Sequence, residues 1–224
     1  MAEPVFPDAR TVLCKGLRLS FTDTLLTPGK PKGADDAKES YGCNFINERD
    51  SKHFADNDKK IRAALSEAGF QFKGNRDLYK VIIEKDPKRV AYRKGERFTN
   101  DDGKIYDGYE GNFAISAKGP RAGRERPTMK DRRKRDITGI DKDILAVCYS
   151  GSYCDAILSF YGTDKGGQGI FCSIEAIRSH EEGDHLGGGR IAVSDDMFDD
   201  LEDDDSFDND TGRTASASDD DMIG

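Results

Sequence analysis

Of the last 31 side chains, residues 194–224, 13 are acidic and one, Arg213, is basic, so this end of the chain cannot bury a core and whatever folds must do so without it. The whole chain carries 35 Lys and Arg against 43 Asp and Glu, a formal net charge of −8. Without that tail, residues 1–193 hold 34 basic and 30 acidic side chains, a net of +4. The triple glycine Gly187 to Gly189 marks the junction, and the expected organisation is a folded domain over 1–190 with a disordered acidic tail over 191–224. A mildly basic body tethered to a polyanion lets the tail compete with another polyanion, nucleic acid, for the same positive surface.

About 190 residues suit one core. No stretch approaches the roughly 20 apolar residues of a membrane span, and the start MAEPVFPDAR has neither the basic opening nor the apolar run of a signal peptide, so a cytoplasmic protein is expected. The five cysteines, at 14, 43, 148, 154 and 172, lie inside apolar segments and are odd in number; they read as reduced, buried thiols rather than a disulfide framework.

Thr11 to Phe21 suits a half-buried strand with an irregularity at Gly16, and Tyr41 to Asn47 a second strand. Ile61, Ala64, Leu65 and Ala68 follow helical spacing, which predicts a helix over Asp56 to Ala68 stopped by Gly69. The apolar run Tyr79 to Ile83, between basic flanks, reads as a strand. Tyr106 to Ala117 reads as a turn followed by a strand, and Lys118 to Arg135 as a long exposed loop. Two strands, Ser152 to Tyr161 and Gly169 to His180, close the body around the turn Thr163 to Gln168. The predicted class is mainly β: an OB-fold-like five-stranded barrel with one helix, long basic loops and the acidic tail.

In the strand Ser152 to Tyr161, Cys154, Ala156, Leu158 and Phe160 form a core face, while Tyr153, Asp155, Ser159 and Tyr161 share the other with Ile157. Bases of a single strand can stack on the rings of Tyr153 and Tyr161, with Tyr109 a candidate of the same kind. The competing reading packs these rings under neighbouring loops with their hydroxyls bonded. The second element is the basic segment holding Lys118, Arg121, Arg124, Arg126, Lys130, Arg132, Arg133, Lys134 and Arg135, whose guanidinium forks match phosphate. A charge run can also be a solvated face. Enzyme signatures are thin: His53, His180 and His185 show no metal spacing to the cysteines, and the glycines of GTDKGGQG are not followed by the Lys-Ser or Lys-Thr of a phosphate-binding loop. No cofactor, no metal and no catalysis are expected.

The stretches CYSGSYCDAILSFYG (Cys148 to Gly162), GQGIFCSIEAIRSHEEGDHLGGGR (Gly167 to Arg190) and YEGNFAISAKGPRAGRERP (Tyr109 to Pro127) resemble a family of bacteriophage single-stranded-DNA-binding proteins. LRLSF, YGCNFIN and the helix near Ala63 to Ala68 fall in matching order, so the resemblance runs from about Arg10 to the end. It implies an OB-fold core, an acidic C-terminal tail and a role in phage replication and recombination. The family often has a basic residue where this chain has Asp155, which is therefore not carried over as a DNA contact. The tip DDDMIG looks like the partner-docking end of bacterial single-stranded-DNA-binding proteins, making Asp219, Asp220, Asp221, Met222, Ile223 and the tail aromatics Phe198 and Phe207 the candidate partner contacts. The chain ends in Gly224 where those proteins end in an aromatic residue.

Two readings of different class follow. In the first, the body binds single-stranded DNA with little sequence preference, and the tail competes with DNA and docks replication or recombination proteins; a homodimer is compatible with this. In the second, the tail is the active element of an interaction or chaperone-like protein that binds no nucleic acid directly.

Overall fold

In the computed structural model, residues 6–30, 38–137, 144 and 146–187 are described; the tail residues Phe198, Phe207, Asp219, Asp220, Asp221, Met222 and Ile223 lie outside them. Seven strands form one sheet: β1 (Thr11–Ser20), β2 (Ser40–Asn47), β3 (Tyr92–Lys94), β4 (Phe113–Arg121), β5 (Thr128–Lys130), β6 (Tyr153–Thr163) and β7 (Gly169–Glu181). Strand β1 pairs antiparallel with β2 and β6, β2 with β4, and β6 with β7. A parallel pairing of β4 with β7, at Ala117 with Cys172 and Lys118 with Ser173, joins these five strands into a ring. Strands β3 and β5 are edge additions, on β4 and β7.

The alternation along β6 fixes which side is interior. Cys154, Ala156, Leu158 and Phe160 are fully buried, as expected, and meet Cys14, Leu17, Leu19, Cys43, Phe45, Ile115, Cys172 and Ile174 in the core of the ring. Thr11 to Ser20 is a strand with the predicted irregularity: its register against β6 shifts between Cys14 and Leu17, where Gly16 takes φ 57°. A Cβ there would fall 2.9 Å from the His53 ring, so glycine is needed twice over. The Gly16 N–H donates to buried Asp155 Oδ1 at 3.0 Å, and Asp155 Oδ2 accepts from Arg178. Asp155 thus anchors the bulge.

The helices bounded within the described residues are the one-turn α1 (Asp23–Leu26), α2 (Phe54–Lys73) and α3 (Leu78–Lys85), with 3-10 turns at Pro87–Arg89 and Gly95–Arg97. The expected helix at Asp56 to Ala68 is α2, buried through Ile61, Ala64, Leu65 and Ala68, but it runs past Gly69. At Gly69 the absent side chain admits the α2–α3 turn, since a Cβ would sit 2.7 Å from the Asn75 carbonyl oxygen. The cap is Gly74, left-handed at φ 68°, whose N–H reaches Phe70 O at 2.7 Å. The expected strand at Tyr79 to Ile83 is instead α3, burying Leu78, Tyr79 and Ile82 on one side. Lys118 to Arg135 is not all loop either: β4 continues to Arg121, and β5 pairs parallel with β7 through Thr128 to Lys130. The class is mainly β and OB-fold-like, with two strands beyond the expected five and more helix than the expected one.

All five cysteines are free and buried. Burial pushes the thiols of Cys14 and Cys148 up to about 12. No helix among the described residues is long and apolar enough to cross a membrane.

Candidate nucleic-acid interface

On the outside of the ring, β2 and β4 pair Asn44 with Ser116 and Gly42 with Lys118. These are small or slender outward residues, and they floor an open groove. One wall is Phe21 and Tyr106, whose rings meet edge to face with centroids 4.8 Å apart; the other holds Lys30 and Tyr41. Phe21 is 44% exposed, although it is a large apolar side chain immediately after β1. Its backbone is left-handed, φ 54°, a conformation costly for a residue with a bulky side chain. Strain of this kind tends to collect at working sites.

The groove continues in both directions. Past Phe21 and Tyr106 it is lined by Asn100, Lys104 and Ser150; past Tyr41 it is lined by Arg124, Arg126 and Pro127. Tyr41 is held by close packing on Gly119, which also touches Pro127. Three open recesses are thus linked through shared lining residues, Phe21 and Tyr106 between two of them and Tyr41 between the next two, and they bring aromatic rings and cations together.

Of the basic residues singled out in the sequence, Lys118, Arg124 and Arg126 line this path. Lys118, Arg121, Arg124, Arg132 and Arg133 form no ion pair among the described residues, so their charge is available to a phosphate. Lys130 is tied to Asp136 at 2.5 Å, and Arg135 to Asp131 at 2.6 Å. The Arg133 and Arg135 backbone N–H groups also donate to Asp131 Oδ1, folding that turn back on itself. Arg132 and Arg133 line another recess with Val147 and His180, which shares no lining residue with the groove.

The three tyrosines separate. Tyr161 is 38% exposed on the outside of β6 and faces Phe171 of β7, ring centroids 6.3 Å apart. Arg89 covers Phe171 at 5.3 Å and donates to the Gln168 and Lys165 carbonyls. Since β7 is the neighbour of β4 in the ring, this second aromatic and basic cluster lies on the strand beside Lys118 and Arg121. Tyr153, eight residues from Tyr161, stands at the far end of β6, roughly 26 Å away at strand rise. Its ring lies under Arg18 at 5.6 Å, and its hydroxyl donates to Glu48 Oε2 at 3.0 Å. Burial, then that hydrogen bond, raise its pKa. Tyr153 is engaged at both faces of its chemistry and is not part of the groove.

Tyr109 corrects the sequence reading. It is fully buried, packed on Phe98 at 4.9 Å and near Tyr106 at 6.1 Å, and its hydroxyl accepts from Asn44 Nδ2 at 3.0 Å. Burial pushes its pKa up to about 12. It buttresses the wall of the groove from behind and offers no stacking face. Residues the sequence reading passed over, Phe21, Tyr41 and Tyr106, make the walls, and Phe171 and Arg89 make the second cluster. A phenylalanine directly after the LRLS strand is a weak signal, because only the left-handed backbone turns it outward.

A protein-family model described as Enterobacter phage Enc34, ssDNA-binding protein matches residues 10–208. A curated relative, the p50 protein of Acyrthosiphon pisum secondary endosymbiont phage 1, is 33% identical over 187 residues, 83% of this chain and 90% of the relative. Among solved structures, the single-stranded DNA-binding protein from bacteriophage Enc34 in complex with ssDNA superposes with TM-score 0.63 at 15% identity, covering 83% of this chain and 97% of that one. The same phage protein without DNA gives TM-score 0.60 at 16% identity, covering 88% and 97%. At such identities the structural likeness speaks for the fold.

Proposed function

The chain belongs to the Enterobacter phage Enc34 ssDNA-binding protein family, and on that premise we propose that it binds and protects single-stranded DNA during phage replication and recombination, laying the strand along the β2–β4 groove. The observation that carries this placement is the open groove in which exposed Phe21 and half-buried Tyr106 stand with Lys118, with Arg124 in the adjoining recess beyond Tyr41. Bases stack on aromatic faces at about 1 to 3 kcal/mol each, without regard to sequence, while the cations follow the phosphates. A duplex keeps its bases stacked on one another, so single strands are preferred. Phe171, Tyr161 and Arg121 form a second set of contacts on the neighbouring strands. The tail over 191–224 competes with DNA through its charge and presents Phe198, Phe207 and the DDDMI tip to replication proteins. Nothing in the fold favours the interaction or chaperone-like alternative.

Fluorescence anisotropy of labelled oligonucleotides over a range of salt tests the reading. The full chain should prefer single strands, and Lys118→Ala with Arg124→Ala should lower affinity and flatten the slope of log K against log salt by about 0.7 per lost phosphate contact. Equal affinity for single strands and duplex at physiological salt overturns the function. A loss of affinity with an unchanged slope overturns the placement of the phosphates.

A further inference from the structure

A second concavity opens elsewhere, between α2, α3, the turn at Pro87–Arg89 and β3, and it shares no lining residue with the groove. Its floor is apolar, made by Leu65, Tyr79, Ile83, Pro87, Tyr92 and Phe113. Its rim is cationic. Arg62 spans the Tyr92 and Phe113 rings at 5.7 and 5.4 Å while pairing with Asp58, and Lys80 pairs with Asp77. Arg93, Lys94 and Arg97 have no ion pair among the described residues, and Glu84 is the single carboxylate in the lining.

Arg93 is the unusual member. Its guanidinium lies 3.8 Å from the Phe98 ring and donates once, to Val90 O at 3.0 Å, while its buried Nε finds no partner. Burial brings its pKa down to about 10, so it stays charged at neutral pH. A desolvated cation with an unused donor is unfavourable until an anion meets it. Among the described residues Arg93 forms no ion pair, and the Asp86 carboxylate acts on it only through its field.

We infer that this recess docks an acidic peptide: one aromatic or long aliphatic side chain enters the apolar floor, and the carboxylates flanking it meet Arg93, Lys94 and Arg97. Charge complementarity selects an acidic occupant, and the apolar floor selects an apolar anchor within it. The Tyr92 hydroxyl in the floor is already engaged, accepting from Asn47 Nδ2 and donating to Asp58 Oδ1. This is a protein-binding site separate from the DNA path.

The test uses a fluorescein-labelled peptide with the sequence of residues 195–208, in which two phenylalanines stand among aspartates. The host is the full chain carrying Phe198→Ala and Phe207→Ala, so that its own copy of the sequence lacks the anchors. Saturable binding is expected, weakened about tenfold or more by Lys94→Glu with Arg97→Glu on the exposed rim, and about fivefold or more when both peptide phenylalanines become alanine. Saturating oligothymidine should leave the peptide affinity within about twofold, and the rim variant should keep its DNA affinity within the same range. Displacement by oligothymidine or by a mononucleotide overturns the inference, as does equal binding of the phenylalanine-free peptide, which reduces the effect to surface charge. Failure of DNA binding alone leaves these readouts intact and counts against the groove instead.

Discussion

Phe21 joins a left-handed backbone, an exposed ring and a place at the centre of the groove, and each of these is unfavourable for folding alone. The left-handed cost is about 1 to 2 kcal/mol for a residue bearing a Cβ. Replacing Phe21 by glycine removes that cost while deleting the ring, so thermal stability is expected to hold or rise while single-stranded DNA affinity falls by about 1 to 3 kcal/mol per stacked base. A parallel loss of both in melting and anisotropy measurements would make Phe21 a packing residue. His53 offers a second residue-scale expectation. Burial, then Lys52 and His180, lower its pKa from 6.5, against an opposing pull from Asp155. The unfolded chain then binds a proton that the folded chain resists, so stability falls as pH drops below about 6.5 toward the depressed folded pKa. Carboxylates with lowered values, such as Glu67 and Asp131, act only further into acid. Urea midpoints at pH 7.5 and 5.5 should therefore differ in the native chain and differ less in His53→Gln; an unchanged difference removes His53 as the source.

At the scale of elements, Gly69 separates two physical effects of opposite sign. Alanine is favoured over glycine in a helix interior by about 1 kcal/mol. Here its Cβ would press on the Asn75 carbonyl at 2.7 Å and on Leu78 Cβ at 3.1 Å, an overpacking worth about 1 to 3 kcal/mol. Gly69→Ala is accordingly expected to lower the urea midpoint, and a rise would show that the α2–α3 turn can yield. The same glycine shows why helix ends were hard to read: a stop signal and a close approach look alike without the partner. Tyr79 to Ile83 failed for a related reason, since four apolar residues around Lys80 fit a buried strand or one face of a short helix equally well. β6 was legible because its alternation spans eight residues and one side is wholly core. The basic segment was legible as composition, but which cations are free was not. Lys130 and Arg135 are spent on Asp136 and Asp131, contacts that depend on the turn between them. Stacking candidates fared unevenly, with Tyr161 exposed, Tyr153 covered by Arg18 and Tyr109 buried. Aromatic residues on alternating positions tell which side of a strand they occupy, not what loop lies over it.

For the molecule as a whole, charge is distributed so that the body and the tail have opposite signs, +4 over residues 1–193 against −12 over residues 194–224. A polyanion approaching the full chain meets a net charge of −8, and one approaching the body alone meets an attractive one. That difference operates over distances of a Debye length, about 10 Å at 0.1 M salt and 30 Å at 0.01 M. Deleting residues 194–224 is expected to tighten single-stranded DNA binding, with the largest gain at the lowest salt and little gain near 1 M. The aromatic contribution should be untouched, because stacking on Phe21 and Tyr106 does not depend on net charge. Combining the deletion with Phe21→Gly therefore gives a clean check: the two effects should add on a free-energy scale at every salt concentration. A gain from the deletion that persists undiminished in high salt would point instead to a specific contact of the tail, and a deletion without effect at 0.01 M salt would leave the tail to its protein partners alone.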